Sequence, residues 1–170
     1  GSGGGGSVCG IDLGSGSIKV VQAKEEKGTI VLETYGALSL APFMNDPVGK
    51  PARLDEPTTV KAITQVLKEA RVTAKKFVVS LQSNAVLVFV VPLPRASQND
   101  LATIIPNEAR KFIPVPLTEV SLDWFIIPDK ETYEQEESSA SPMIEVLVVV
   151  VRNETLQNYE SVLKSASLPK

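Results

Sequence analysis

Short valine- and isoleucine-rich runs broken by glycine open the chain. Val8–Leu13 reads as a strand, Gly14-Ser15-Gly16 as a turn and Ser17–Lys24 as a second strand. Glycine at that turn is expected to supply the positive φ that a tight hairpin requires. Lys27-Gly28 is the next turn signal and Thr29–Tyr35 the third strand, so the three make a β-meander. Residues 41–57 hold Pro42, Pro47, Pro51 and Pro57 without periodicity and read as an exposed loop. The period then lengthens. Val60, Ile63, Val66, Leu67 and Ala70 recur at helical spacing and predict a helix from about Thr58 to Arg71, with a short strand at Phe77–Leu81 after it.

The second half repeats this alternation in a different order. Ala85–Val91 reads as a strand closed by Pro92 and Pro94. Ser97 and Asp100 have capping-box spacing, and Leu101, Ile104, Ile105, Ala109 and Phe112 form the apolar stripe of the helix they announce. Pro106 lies inside that pattern, where it removes a backbone donor; a kink or a helix restarting at Pro106 would both accommodate it. Pro114 and Pro116 stop the helix. Val120–Ile127 and Ile144–Val151 are two further strands, with Val120, Leu122, Trp124 and Ile126 on one face by period two. The acidic, serine-rich stretch Asp129–Pro142 between them reads as a hairpin tip. A last helix starts near Asn153, expected as its N-cap, and carries Leu156, Tyr159, Leu163 and Ala166. The chain ends where an alternating pattern would supply another strand, so a fragment is expected.

Composition narrows the function classes. The 170 residues are 43% hydrophobic, enough for a sizeable core. A net charge of −3 with scattered basic residues argues against a nucleic-acid surface. No histidine and one cysteine, Cys9, exclude an internal disulfide, a zinc site and a histidine-based triad, and suit the cytoplasm. The apolar runs Ala85–Val91 and Val146–Val151 fall far short of the roughly 20 residues of a membrane span, so membrane contact is expected through a partner. Residues 1–7, GSGGGGS, have the composition of a linker or tag scar, suited to tethering a peptide.

Chemistry concentrates in Gly10-Ile11-Asp12-Leu13-Gly14-Ser15-Gly16-Ser17-Ile18-Lys19. A hydrophobic strand ends in an aspartate, and a small-residue turn follows. Backbone amides of such a turn can converge on phosphate oxygens. Asp12 would hold Mg through water, with Ser15, Ser17 and Lys19 adding polar contacts. Taken alone, the motif reads first as an ordinary hairpin with a polar turn, since glycine-rich turns are common.

The run GIDLGSGSIKVVQ resembles the phosphate hairpin of the actin, Hsp70 and hexokinase superfamily, in the form used by the PilM and FtsA-like families. ITQVLKEA and KKFVVSL resemble the helix and strand that complete the first PilM subdomain. VFVVPLP and NEARKFIPVPLTEVSLDW resemble its small inserted subdomain, the recurrent pattern falling on Glu108, Ala109, Ile113, Pro114, Pro116, Glu119, Val120 and Asp123. The ending resembles the helix that returns to the first subdomain. Pro106 stands where relatives carry a helix-friendly residue.

The resemblance implies an α/β, partial actin-like fold: linker 1–7, a first subdomain at 8–83, a small inserted strand-helix-strand-strand subdomain at 84–152 and a returning helix at 153–170. It implies ATP and Mg in the longer protein, at Asp12, Gly14, Ser15, Gly16, Ser17 and Lys19. The second phosphate loop and adenosine pocket would lie beyond this chain, which is therefore expected to bind no cofactor and to be no enzyme. The implied role is a cytoplasmic scaffold, peripheral to the bacterial inner membrane, gripping the N-terminal cytoplasmic peptide of a PilN-like membrane protein in a groove between the two subdomains. Ser80, Leu81, Gln82, Ser83, Pro92, Leu93 and Pro94 are the expected peptide contacts, chosen by location. Self-association is a further expectation. An actin-like ATPase or kinase domain and a type II secretion platform domain are the alternatives.

Overall fold

The structure is a computed structural model that describes residues 6–43, 55–96, 98–128 and 143–166. Pro47, Pro51, Ser97 and the acidic stretch 129–142 lie outside the described residues. The chain divides into two compact units, Gly1–Gln82 with Gln157–Lys170, and Ser83–Leu156.

In the first unit, β1 (Val8–Leu13), β2 (Ser17–Glu26), β3 (Thr29–Ser39) and β4 (Lys76–Ser80) form one sheet in the order β3-β2-β1-β4. The first three strands are an antiparallel meander, and β4 joins β1 in parallel. Two-residue alternation sends Cys9, Ile11, Leu13, Ile18 and Val20 to a buried face. Helix α1 (Glu56–Glu69) covers that face with Ala62, Ile63 and Val66. It starts earlier than its apolar period suggests. Asp55 caps it by accepting the Thr58 N–H at 2.9 Å, and Pro57 sits in the first turn, where its missing donor costs no helical bond. Tyr159, Val162 and Ala166, from α3 (Asn153–Ser165) and the residue after it, pack on the same core, and Ser161 and Ser165 both donate to Glu56. Burial raises the Cys9 thiol pKa, as expected of a core residue.

The second unit is a three-stranded antiparallel sheet, β5 (Val86–Pro94), β6 (Val120–Ile127) and β7 (Met143–Arg152), in the order β5-β7-β6. Helix α2 (Gln98–Ala109) packs Leu101, Ile105 and Ala109 against Val91, Leu93, Ile144, Val146, Val148 and Val150. Trp124 and Leu122 join this core partly buried, whereas Ile126 is exposed.

Several expectations change. Pro92 and Pro94 belong to β5 instead of closing it, because β5 is an edge strand where a missing N–H removes no ladder bond. The helix runs unbroken through Pro106, and Asn107 Nδ2 donates to the Thr103 carbonyl at 3.0 Å one turn back. Phe112 lies beyond the end of α2, exposed, with its ring 5.0 Å from that of Phe89. Asn153 is the first residue of α3 and ties it to β6, donating to the Thr118 carbonyl at 3.0 Å and accepting from Ser121 at 2.8 Å.

Candidate functional site

The pairing of β1 places Asp12 opposite Lys19 on β2 and beside Ser80 on β4, all on the face turned away from α1. Ser80 Oγ donates to Asp12 Oδ1 at 2.7 Å, and Lys19 Nζ lies 3.7 Å from Asp12 Oδ2. Lys19 and Asp12 are 63% and 52% exposed, so water screens their attraction and the pair contributes little to stability. Its geometry leaves both charges available to a ligand.

The turn beyond β1 is held from several directions. The Gly14 N–H donates to the Ser17 carbonyl at 3.1 Å, and the Leu40 N–H donates to the Gly16 carbonyl at 2.9 Å. Neither Gly14 nor Gly16 has a positive φ, contrary to expectation; Lys27 and Gly28 do, at 51° and 77°, in the β2–β3 turn. Gly14 is needed for a different reason. A Cβ there would lie 2.8 Å from the Ser17 carbonyl oxygen, while one on Gly16 meets nothing within 4 Å. From below, Gln82 Nε2 donates to the Leu13 carbonyl at 2.8 Å and the Gln82 N–H donates to Tyr159 Oη at 3.3 Å.

These contacts define what the hairpin can do. Ser15 and Gly16 are exposed at its tip, with Ser17 half-buried, so hydroxyls and open backbone can approach a phosphate there with Lys19 alongside. The Gly14 N–H already has a partner within the turn. Asp12 offers a single carboxylate, and no group of three metal-ligating acidic, cysteine or histidine side chains occurs among the described residues. A magnesium ion here would have Asp12 as its one protein carboxylate and would need water or other groups for the rest of its shell. Next to this polar row the same face carries Val78, Gly10, Val21 and Tyr35 in register across all four strands. Side-chain-free Gly10 is the floor of an open depression of about 350 Å³ walled by Val21, Val78, Lys19 and Ser80.

The expected peptide contacts fall into two groups. Ser80 bonds Asp12, Leu81 and Gln82 are half-buried, and Gln82 holds the hairpin base. In the second unit Ser83, Pro92 and Pro94 are exposed, but Leu93 is 4% exposed and part of the core. Alternation along β5 turns Leu93 inward, so it is corrected from a surface contact to a core residue.

One polar cluster escapes the motif reading. Gln22 is buried in phase with Ile18 and Val20 on β2, and its Oε1 accepts the Thr73 and Ala74 N–H groups at 2.8 and 2.9 Å. Its Nε2 donates to Glu33 at 2.8 Å and Thr73 Oγ1 at 3.0 Å. A bulge opposite Gln22/Ala23 leaves Glu33 without a strand partner and within 3.5 Å of Lys24. Hydrogen bonds from Ser7 and Gln22, then Lys24, hold the Glu33 carboxyl below the usual glutamate range. A polar residue at a core phase is the signal that marks Gln22 in the sequence.

With this geometry in place, the comparison with known families is decisive. The family model of type IV pilus assembly protein PilM matches residues 10–170. The chain belongs to the PilM family. It is similar to the structure of the PilM–PilN type IV pilus biogenesis complex, with a TM-score of 0.72 and 24% identity over 95% of this chain and 45% of that one. It is also similar to the cytoplasmic domain of EpsL, an inner membrane component of the type II secretion system of Vibrio cholerae. There the TM-score is 0.54 at 12% identity, over 95% of this chain and 54% of that one. The chain thus spans about half the length of both structures. At these identities the likeness establishes the fold, the actin-like α/β class anticipated above, in part. No helix among the described residues is long and apolar enough to cross a membrane.

Proposed function

We propose that this PilM-family chain is a scaffold on the cytoplasmic side of a type IV pilus inner-membrane platform, binding the N-terminal cytoplasmic peptide of a PilN-like protein. The observation that supports this best is the family match over residues 10–170, joined to a likeness over 95% of the chain to a PilM solved with PilN. On this reading Ser80, Leu81 and Ser83 with Pro92 and Pro94 meet the peptide, and Gln82 positions its neighbours. Extended peptides gain affinity from backbone hydrogen bonds at strand edges and specificity from side-chain pockets, and β5 is an edge strand with exposed prolines. The chain acts as a scaffold and not an enzyme, and reaches the membrane through its partner. Titrating a PilN N-terminal peptide into the folded protein should give saturable binding that weakens in a Ser83/Pro92 double variant; no saturable binding would overturn the proposal.

The convergence of Asp12, Ser80 and Lys19 favours a second reading, nucleotide binding of the actin-like type. In the longer protein Lys19 and the Ser15–Ser17 turn would contact phosphate, and Asp12 would hold magnesium through water. Calorimetry with Mg-ATP separates the readings: micromolar binding by this chain alone would replace the scaffold proposal with the nucleotide one.

A further inference from the structure

The sheet of the second unit has two faces of unequal fate. Ile144, Val146, Val148 and Val150 of β7 lie under α2, so alternation turns Glu145, Leu147 and Val149 to the other face. Strand register aligns three rows there: Val88–Val149–Asp123, Val90–Leu147–Phe125 and Pro92–Glu145–Ile127. Val88, Val90 and Phe125 are 49%, 42% and 54% exposed. Seven of these nine side chains are apolar, and the two charges are both carboxylates. Arg152, the basic residue of these strands, falls on the opposite phase. One Asp123 oxygen accepts the Trp124 N–H at 2.8 Å, so its charge is fixed at the edge of the patch.

We infer that this face docks one amphipathic helix of a second protein, with an apolar stripe bordered by lysine or arginine. The width argues for a helix. Two strand spacings make about 10 Å, the diameter of one helix, and the sheet already buries its opposite face under the single helix α2. Charge argues for the borders. A partner that buries Val90, Leu147 and Phe125 must pass Asp123 and Glu145, and cations there gain what neutral or acidic groups lose. Two other occupants fit less well. A second copy related by a two-fold axis would bring the same carboxylate-only face against itself. Residues 129–142 of this chain carry five acidic residues and one lysine, the same sign as the patch. The surface lies wholly within the second unit and shares only Pro92 with the proposed PilN-like site, so either proposal can fail alone.

The test uses the whole 170-residue protein and a fluorescein-labelled leucine/lysine amphipathic peptide of about 18 residues, long enough to cross strands of this length. Anisotropy should show saturable binding, roughly ten-fold tighter than for the leucine/glutamate counterpart. Val90→Ser with Phe125→Ser should weaken it about ten-fold, and Val88→Ser alone by less. Asp123→Lys with Glu145→Lys should reverse the preference between the peptides. Glu25→Lys with Glu160→Lys, a charge-matched change elsewhere, should not. Circular dichroism melts establish that each variant is folded. Equal binding by the serine variants, or equal effects of the two charge reversals, overturns the proposal. So does a dimer, seen by sedimentation, that the serine variants convert to monomer.

Discussion

Replacing Gln22 by methionine keeps the side chain's length and removes every hydrogen bond it makes. Gln22 is 3% exposed and Ala74 half-buried, whereas Thr73 is exposed, so water can replace the bond to Thr73 more readily than the one to Ala74. The backbone N–H groups of Thr73 and Ala74 lose their acceptor, and Glu33 and Thr73 Oγ1 lose a donor. A buried amide left unsatisfied costs about 1–3 kcal/mol, and with the exposed Thr73 amide open to water the loss is set mainly by Ala74, at roughly 1–3 kcal/mol. Domains of this size are stable by about 5–15 kcal/mol, so the variant should fold but unfold much earlier. With a urea m-value of about 2 kcal/mol/M, the midpoint should fall by about 0.5–1.5 M in far-UV circular dichroism. Trp124, the single tryptophan, lies in the other unit, so its fluorescence tells whether that unit unfolds with the first or separately. A midpoint shift under about 0.3 M with an unchanged m-value would refute the reasoning, because it would mean the two amides find water once Gln22 is gone.

Gly14→Ala should destabilise the protein by about 1–3 kcal/mol, since its Cβ meets a backbone carbonyl at 2.8 Å, while Gly16→Ala should stay within about 0.5 kcal/mol. Thermal melts compare the two, and equal melting temperatures would show that the turn adjusts freely. Glu33 has a lowered pKa in the folded state, so its contribution is present above the ordinary glutamate range and is lost as pH falls through the lowered value. The stability difference between the parent and Glu33→Gln should therefore be larger at pH 7 than near pH 3; a pH-independent difference contradicts the assignment.

Elements whose two neighbours agree with their own period were legible in the sequence. Val8–Leu13 and Val120–Ile127 stand as predicted, because both are short apolar-rich runs bounded by turn residues, although the alternation of the second breaks at Phe125–Ile126. The misses have physical causes outside the local pattern. Pro92 and Pro94 look like strand breakers until β5 is known to be an edge. Asn153 looks like an N-cap, yet Ser121 and Thr118, more than thirty positions away, claim its amide. Phe112 fits a helical stripe by spacing, but the helix has already ended and the ring finds Phe89 instead. At the candidate site, the motif located Asp12 and Lys19 but not the partner of Asp12. Ser80 is 68 residues away and reaches it only through the parallel β1–β4 register.

That register also constrains how any ligand experiment on the hairpin is read. Ser80, the last residue of β4, and Gln82, two residues on, both touch the end of β1, but they do unlike work. Ser80 bonds an exposed carboxylate, so its removal frees one Asp12 oxygen and leaves the turn in place. Gln82 bonds the Leu13 carbonyl and Tyr159, so its removal loosens the strand end from which the turn springs. The internal bonds from Gly14 to Ser17 and from Leu40 to Gly16 belong to the second kind. A hairpin built this way is held by bonds internal to the fold, between its own carbonyls and amides. The glycine-serine turn therefore carries less weight for nucleotide binding than the charges of Asp12 and Lys19, which the fold itself uses only weakly.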